Sequence, residues 1–326
     1  MADLSTSYLG LKLKNPIIVS SSGLTDNIEK LKVLEKNGAG AVVLKSLFEE
    51  QIRFETGKLL SDATHTEAAD YVSNYSRSHT LDNYIQLIQA AKKELGIPVI
   101  ASINCVSSGE WIEFAKRIQE AGADALELNV FFFPSDKDFR SEDYEKIYYE
   151  LALKVKSRVN IPVSFKLGQN FTSLVNIVDR LYYRGIMGVV LFNKFYEPDI
   201  DLDSLTFKSG AVFSTPSDIS KPLRWVGIIS KQVQNIDIAA STGVHEGKDI
   251  IKQLLVGADA VQAASTFYKN GTSHIIDMLN EMETWIKDNG YRSITEFKGM
   301  MSQLVSQNPA AIERVQFMKY FGDMKR

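Results

Sequence analysis

Gly122-Ala123-Asp124-Ala125-Leu126-Glu127-Leu128-Asn129 and Asn160-Ile161-Pro162-Val163-Ser164-Phe165-Lys166-Leu167 each open with a short punctuating phrase and run on through an apolar stretch to a polar end. The same construction recurs in both directions along the chain. Phrases of the first kind are Gly38-Ala39-Gly40, Gly122-Ala123-Asp124, Gly185-Ile186-Met187-Gly188 and Gly257-Ala258-Asp259. Those of the second kind are Asn15-Pro16, Gly96-Ile97-Pro98, Asn160-Ile161-Pro162 and Asn235-Ile236-Asp237. The two kinds alternate strictly and introduce eight buried strands separated by helical stretches. That pattern predicts an α/β fold, a TIM-type (β/α)8 barrel spanning residues 1–326 as one domain. Such a barrel carries its active site at the C-terminal ends of the strands.

The expected strands are 17–20, 41–45, 98–103, 124–129, 162–167, 187–192, 236–241 and 259–263. Their apolar runs are continuous, as burial of parallel strands on both faces requires. Residues 4–13 alternate as a short N-terminal hairpin turning near Gly10, placed to plug the lower end of the barrel. Helical stripes run from Asn27 to Lys36, from Leu81 to Leu95 and through Trp111, Phe114, Ala115 and Ile118. The stretch 249–256 reads as the shortest helix, and another is expected near Thr272. Three strand-to-helix connections are long: 46–80, 131–142 and 193–222. Long loops at that end of a barrel cover or build sites. These carry Phe48, Phe54, Tyr71, Tyr75, Phe131, Phe132, Phe133, Phe195 and Tyr196, an aromatic cover suited to a planar ligand.

A formal net charge of −3 gives no footprint for nucleic acid. Cys105 is the single cysteine, which excludes an internal disulfide and fits a reducing compartment. The four histidines are scattered, and no metal site is expected. The first residues have neither a basic nor an apolar leader segment, and no stretch approaches the ~20 apolar residues of a membrane span. The expectation is a cytoplasmic enzyme that does not engage membranes.

The strand ends collect the candidate chemistry. They read Ser20-Ser21-Ser22-Gly23, Lys45-Ser46, Asn104, Asn129, Lys166, Asn193-Lys194, Ser241-Thr242-Gly243 and Ala264-Ser265-Thr266. Lys45 and Lys166 directly follow apolar strands, where an ammonium is costly unless it meets an anion or a polar ligand. Asn104, Asn129 and Asn193 each offer a donor and an acceptor, the mixture that the edge of a planar heterocycle needs. Loops after the seventh and eighth strands of such barrels bind phosphate through backbone N–H groups. Ser241-Thr242-Gly243 and Ala264-Ser265-Thr266 stand there. A phosphorylated, planar cofactor with many acceptors points to FMN.

With these pieces in place, the chain resembles the dihydroorotate dehydrogenase family, in particular its soluble class 1 enzymes. The likeness runs from Leu9-Gly10-Leu11-Lys12-Leu13-Lys14-Asn15-Pro16 through Lys45-Ser46, Glu127-Leu128-Asn129, Phe165-Lys166-Leu167 and Leu191-Phe192-Asn193. It continues through Ser241-Thr242-Gly243-Val244, Gln262-Ala263-Ala264-Ser265-Thr266 and a closing Gly290-Tyr291-Arg292-Ser293-Ile294-Thr295-Glu296-Phe297-Lys298-Gly299. The resemblance implies that Ser21, Ser22 and Ser46 line the flavin and that Lys45 lies near flavin and substrate. It implies that Asn104, Asn129 and Asn193 bond ring, ribityl chain or substrate. Lys166 would sit beside the flavin N1–C2=O edge and stabilise the anionic reduced ring. Gly227 would pack near the ribityl chain, and Thr242, Gly243, Ala264 and Ser265 would hold the phosphate. It also implies a homodimer, with 195–215 as an interface segment.

Two departures stand out. The family's loop after strand 4 carries a Cys or Ser base, and here Asn129-Val130-Phe131-Phe132-Phe133-Pro134-Ser135 puts Phe132 at that position. Phenylalanine has no titratable group. Ser135, Tyr71, Tyr75 and His79 are the alternative bases. The family's substrate-binding Asn-Ser-Met-Gly loop is absent as well, leaving Asn74 as its nearest substitute. The readings that follow are dihydroorotate oxidation with another base, an FMN enzyme for another planar compound, a flavin-binding protein without this catalysis, and a Schiff-base aldolase-type barrel using Lys166.

Overall fold

The computed structural model describes residues 2–48, 66–104, 108–195, 197–302, 314–315 and 317–320. Strands β1 (Thr6–Tyr8) and β2 (Leu11–Leu13) form an antiparallel hairpin. There follow β3 (Ile17–Val19), β4 (Ala41–Val43), β5 (Leu47–Phe48), β6 (Val99–Asn104), β7 (Ala125–Asn129), β8 (Val163–Leu167), β9 (Gly188–Leu191), β10 (Pro198–Asp201), β11 (Thr206–Ser209), β12 (Asp237–Ser241) and β13 (Ala260–Ala263). Eight of them, in the order β4-β3-β13-β12-β9-β8-β7-β6, are parallel, and pairing of β4 with β6 closes the ring. The short β5 adds to the upper edge of β6, and β10 pairs with β11 as a separate hairpin. The protein is thus a TIM barrel, and all eight expected strands lie within two residues of those observed.

Helices α1 (Ile28–Lys36), α2 (Thr66–Glu94), α3 (Ser108–Glu120), α4 (Ser141–Lys156), α5 (Leu174–Tyr182), α6 (Ser220–Gln232), α7 (Gly247–Leu255), α8 (Ser265–Asn270) and α9 (His274–Asp288) surround the ring. The punctuating phrases have physical causes. In the glycine phrase the glycine follows a helix in the left-handed conformation, with φ of 101° at Gly38 and 93° at Gly122. The Gly38 N–H donates to Glu35 O and the Ala39 N–H to Leu34 O; Gly122 and Ala123 repeat this with Gln119 and Ile118. These are Schellman caps, which stop a helix and aim the chain into the next strand. The aspartate that follows in two of the phrases serves the barrel floor: Asp124 Oδ2 accepts the Val99 N–H at 2.8 Å, and Asp259 Oδ2 accepts the Ile238 N–H at 2.7 Å.

The hairpin does plug the lower end. Tyr8, Leu9 and Leu13 are buried among Ile18, Ala41, Val43, Ile100, Val190 and Ala239, which line the barrel interior. Leu9 and Gly10 turn with φ of 56° and 72°, matching the strong twist of a two-residue hairpin loop. The Leu9 N–H donates to Asp237 Oδ2 at 2.6 Å.

Three expectations need correction. The connection 46–80 is not loop throughout, because α2 begins at Thr66 rather than near Leu81. Its first turn, Thr66-Glu67-Ala68-Ala69-Asp70, is helix-forming by propensity and by its acidic residues while lacking the apolar stripe that marks its second half. The connection 193–222 carries the β10–β11 hairpin and already enters α6 at Ser220. Among the fully described α-helices the shortest is α8 rather than the one over 249–256; it starts directly at Ser265, with α9 following from His274. Phe54 and Tyr196 lie outside the described residues, as do Cys105 and the side chains of Tyr71, Asn74, Tyr75 and His79.

Candidate functional site

Side chains alternate along a strand, so every second residue points into the barrel. On β7 the inward set is Ala125, Glu127 and Asn129, and on β8 it is Ser164 and Lys166; Leu126, Leu128, Phe165 and Leu167 face the helices. Above the apolar floor the inward set becomes polar: Ser20, Ser102, Glu127, Lys166 and Gln262, all buried. Lys166 Nζ donates to Ser20 Oγ at 3.1 Å and to Gln262 Oε1 at 3.3 Å. Gln262 Nε2 donates to Glu127 Oε2 at 2.5 Å, and Glu127 Oε1 stands 3.9 Å from Lys166 Nζ.

Lys166 also lines a cleft at the C-terminal mouth. Ser21, Asn193, Lys194, Thr242, Gly243, Ala264 and Ser265 line it too, around about 590 Å³ open to solvent. The Asn193 side-chain amide donates to Asn129 Oδ1 at 2.9 Å. Among the described residues, the backbone N–H groups of Gly243, Ala264 and Ser265 have no partner within the protein. Gly243 is required where it stands: its φ is 81°, and a Cβ there meets Ile219 N at 2.1 Å. Thr242, also at φ 81°, is held by its hydroxyl donating to Phe192 O at 3.0 Å. Behind Ser265, the Ser214 N–H donates to Ser265 Oγ at 3.0 Å and Lys269 Nζ donates to Ser214 O at 2.8 Å. Ser214 Oγ lies 3.2 Å from His245 Nε2. Burial, then the charge of Lys269, lowers the His245 pKa.

The remaining candidates are dispersed. Ser46 is buried, its hydroxyl 3.0 Å from that of Ser21 and 2.7 Å from that of Ser102, so it backs the cleft wall. Ser22 is engaged in its own turn with Leu24 and Thr25. Asn104 is half-buried at the end of β6. The Lys45 side chain is exposed, and Gly227 is buried within α6, outside the cleft lining. The sequence reading noted Ser20 only as a strand end, and it missed Ser102, Ser214, Gln262 and Glu127 as site residues. A signal for most of them existed: each polar residue inside an apolar strand is two places from another inward position.

No residue of the loop after β7, 130–140, lines the cleft. Phe132 turns to the helical side, edge-on to Tyr148 of α4 at 5.7 Å, and with Phe171 and Tyr144 it walls a separate cavity. Phe131 stacks on Phe195 at 4.1 Å, and Phe133 is exposed. Ser135 is exposed, its N–H donating to Phe133 O at 2.8 Å. A buried ammonium, paired amides and unpartnered backbone donors at one mouth suit a flat, acceptor-rich ligand bearing an anionic end.

The family model described as dihydroorotate dehydrogenase matches residues 3–286. The chain belongs to that family. The resemblance drawn from the strand ends is therefore borne out. One similar protein is the dihydroorotate dehydrogenase B (NAD(+)) catalytic subunit of Thermoplasma acidophilum, 29% identical over 307 residues, 92% of this chain and 99% of that protein. The protein of the same name from Thermoplasma volcanium is 28% identical over 309 residues, covering 92% and 99%. That from Methanocaldococcus jannaschii is 27% identical over 312 residues, covering 91% and 97%. Membership makes this a dihydroorotate dehydrogenase-like oxidoreductase by kind. Among the described residues no helix is long and apolar enough to cross a membrane.

Proposed function

We propose that the chain is an FMN-dependent oxidoreductase of the dihydroorotate dehydrogenase kind, acting on a CH–CH bond of a small planar substrate. The observation that carries this reading is the meeting, at one cleft, of the Lys166 ammonium with backbone donors that have no partner at Gly243, Ala264 and Ser265. These residues fit FMN. The unpartnered N–H groups suit a phosphate, Lys166 suits the ring edge that gains negative charge, and the Asn129–Asn193 pair offers a free carbonyl lone pair and an N–H to ring or substrate. When bound, a flavin supplies the hydride acceptor. The protein's share is to hold the ring and stabilise the reduced form through Lys166.

Dihydroorotate is the substrate that membership favours, and the loop after β7 argues for slow turnover of it. A proton must leave the ring as the hydride does, and among the described residues of that loop only the exposed Ser135 carries a hydroxyl near the family position. The Schiff-base reading of Lys166 is disfavoured by its burial beside Glu127 in a charged pair; a nucleophilic lysine must be neutral. Homodimerisation is supported by the β10–β11 hairpin, where Leu202, Leu205 and Phe207 are each about four-fifths exposed.

The test is anaerobic addition of L-dihydroorotate to the purified protein while its visible spectrum is recorded. Slow bleaching of a bound flavin is expected. A flavin that stays oxidised while another planar donor bleaches it would move the substrate away from dihydroorotate, and a protein that holds no flavin would refute the reading.

A further inference from the structure

Glu127 is an acidic side chain 1% exposed in the barrel interior, and its Oε1 has no hydrogen-bond partner. Its other oxygen takes the Gln262 amide N–H at 2.5 Å, while the carbonyl of that same amide accepts from Lys166 Nζ at 3.3 Å. The amide thus relays between a carboxylate and an ammonium that are also 3.9 Å apart directly. Among the described residues, the titratable groups facing Glu127 are Lys166 from β8, Tyr8 at the end of β1 and Tyr84 from α2. Burial raises both phenols above their ordinary range, so neither supplies or removes charge near neutrality. Asp237 and Asp259, which accept the Leu9 and Ile238 N–H groups at the barrel floor, also act on Tyr8 through their charge. Lys166 is therefore the counter-charge of Glu127. A buried carboxylate that loses its partner takes up a proton.

We infer that Glu127 is a positioning residue for Lys166, coupled to it through Gln262, and that it offsets part of the positive charge Lys166 presents to the cleft. This deepens the reading of the cleft as a flavin site, and half of it is independent of that reading. Glu127 and Gln262 hold the ammonium at the cleft floor with one N–H left for a ligand. The carboxylate beneath makes the cleft less favourable to an anionic ring than a lone lysine is, and so holds the flavin potential down.

Two measurements test this. The first uses flavin-free protein: thermal unfolding of wild type, Lys166→Met, Glu127→Gln and the double variant, followed from about pH 4 to about pH 8. In Lys166→Met the folded state holds the Glu127 proton to higher pH than the unfolded chain does. Its stability relative to wild type therefore falls as pH rises across that window. In the double variant that slope disappears, because the amide that replaces the Glu127 carboxyl has no proton to lose. Equal slopes in Lys166→Met and the double variant would overturn the coupling. The second measures the flavin midpoint potential. Glu127→Gln is expected to strengthen binding of reduced over oxidised flavin by about tenfold, an upward shift of about 30 mV for a two-electron couple. In the Lys166→Met background the same substitution leaves the potential unchanged, since Glu127 is already neutral there. A Glu127→Gln potential equal to or below that of wild type would overturn the charge-offset role. A protein that takes up no flavin would refute the flavin site and leave the unfolding slopes to decide the pair.

Discussion

Lys166 is an ammonium whose side chain is 8% exposed, held by three polar neighbours and turned to a cleft. Its value lies in charge that develops during reaction, so Lys166→Ala should slow flavin reduction by about 10²–10³-fold. FMN affinity should fall less than about tenfold, because the phosphate donors remain. Stopped-flow reduction against a fluorescence titration separates the two, and equal losses would assign Lys166 to binding alone. Phe132 supplies a second case. Restoring the family's thiol as Phe132→Cys should not speed dihydroorotate-driven reduction, because that position packs against Tyr148 and faces α4. It should instead cost about 1–2 kcal/mol of stability by losing the edge contact with Tyr148 and part of its buried area. A rate gain of tenfold or more would mean that the loop turns the residue inward when substrate binds. The position of Phe132 in the family's motif was legible in the sequence, but the direction of its side chain was not, since that is set by packing on α4. Lys166, Asn129 and Asn193 were legible because they end apolar strands. Glu127 and Gln262 were passed over because their strands read as continuous apolar runs, and only the period of two reveals that they share the inner face with Lys166.

At the scale of elements, the repeated glycine phrase is a set of helix stops, and this gives it a measurable cost. Gly122 sits at φ 93° with nothing nearer to a Cβ than Lys92 Cγ at 4.0 Å. Gly122→Ala should therefore cost only the backbone term of a left-handed residue, about 1–2 kcal/mol. Gly40 differs: its Cβ would stand 2.2 Å from Asn15 O, in the backbone of the neighbouring segment. Gly40→Ala should lose more than Gly122→Ala, and urea midpoints of the two variants check the order. The eight strands were readable because each is bounded by a cap or a proline phrase and filled with β-branched and apolar residues. The first half of α2 was not, because a helix without an apolar stripe shows no period. Nor was the β10–β11 hairpin, whose exposed Leu202 and Leu205 pack on nothing within the described chain that would impose a pattern.

Among the described residues the molecule is a ring closed below by its own N-terminal hairpin, with the cleft at its upper mouth. Asp237 ties the two together through the Leu9 N–H. Burial, followed by the charge of Asp259, raises the pKa of Asp237 to about 6. A carboxylate with a raised folded pKa contributes stability below its unfolded value near 4, and this is lost as pH rises to about 6. Compared with Asp237→Asn, the wild type should lose about 1–2 kcal/mol across that interval, allowing for partial exposure of the group. Denaturant titrations at a series of pH values read the difference, and parallel profiles would remove Asp237 from the account of the plug. Barrel and mouth were both foreseeable from the alternating phrases. The ligand follows from chemistry gathered at the mouth, so it is the claim with most at stake. The most direct measurement is the visible spectrum of the purified protein before and after mixing with FMN, with the released chromophore identified by mass. The account predicts a flavin spectrum and one FMN per chain, with binding lost when Ser265→Glu sets a carboxylate against the phosphate donors. A colourless protein that takes up no FMN, or one whose FMN binding is indifferent to Ser265→Glu, would contradict it.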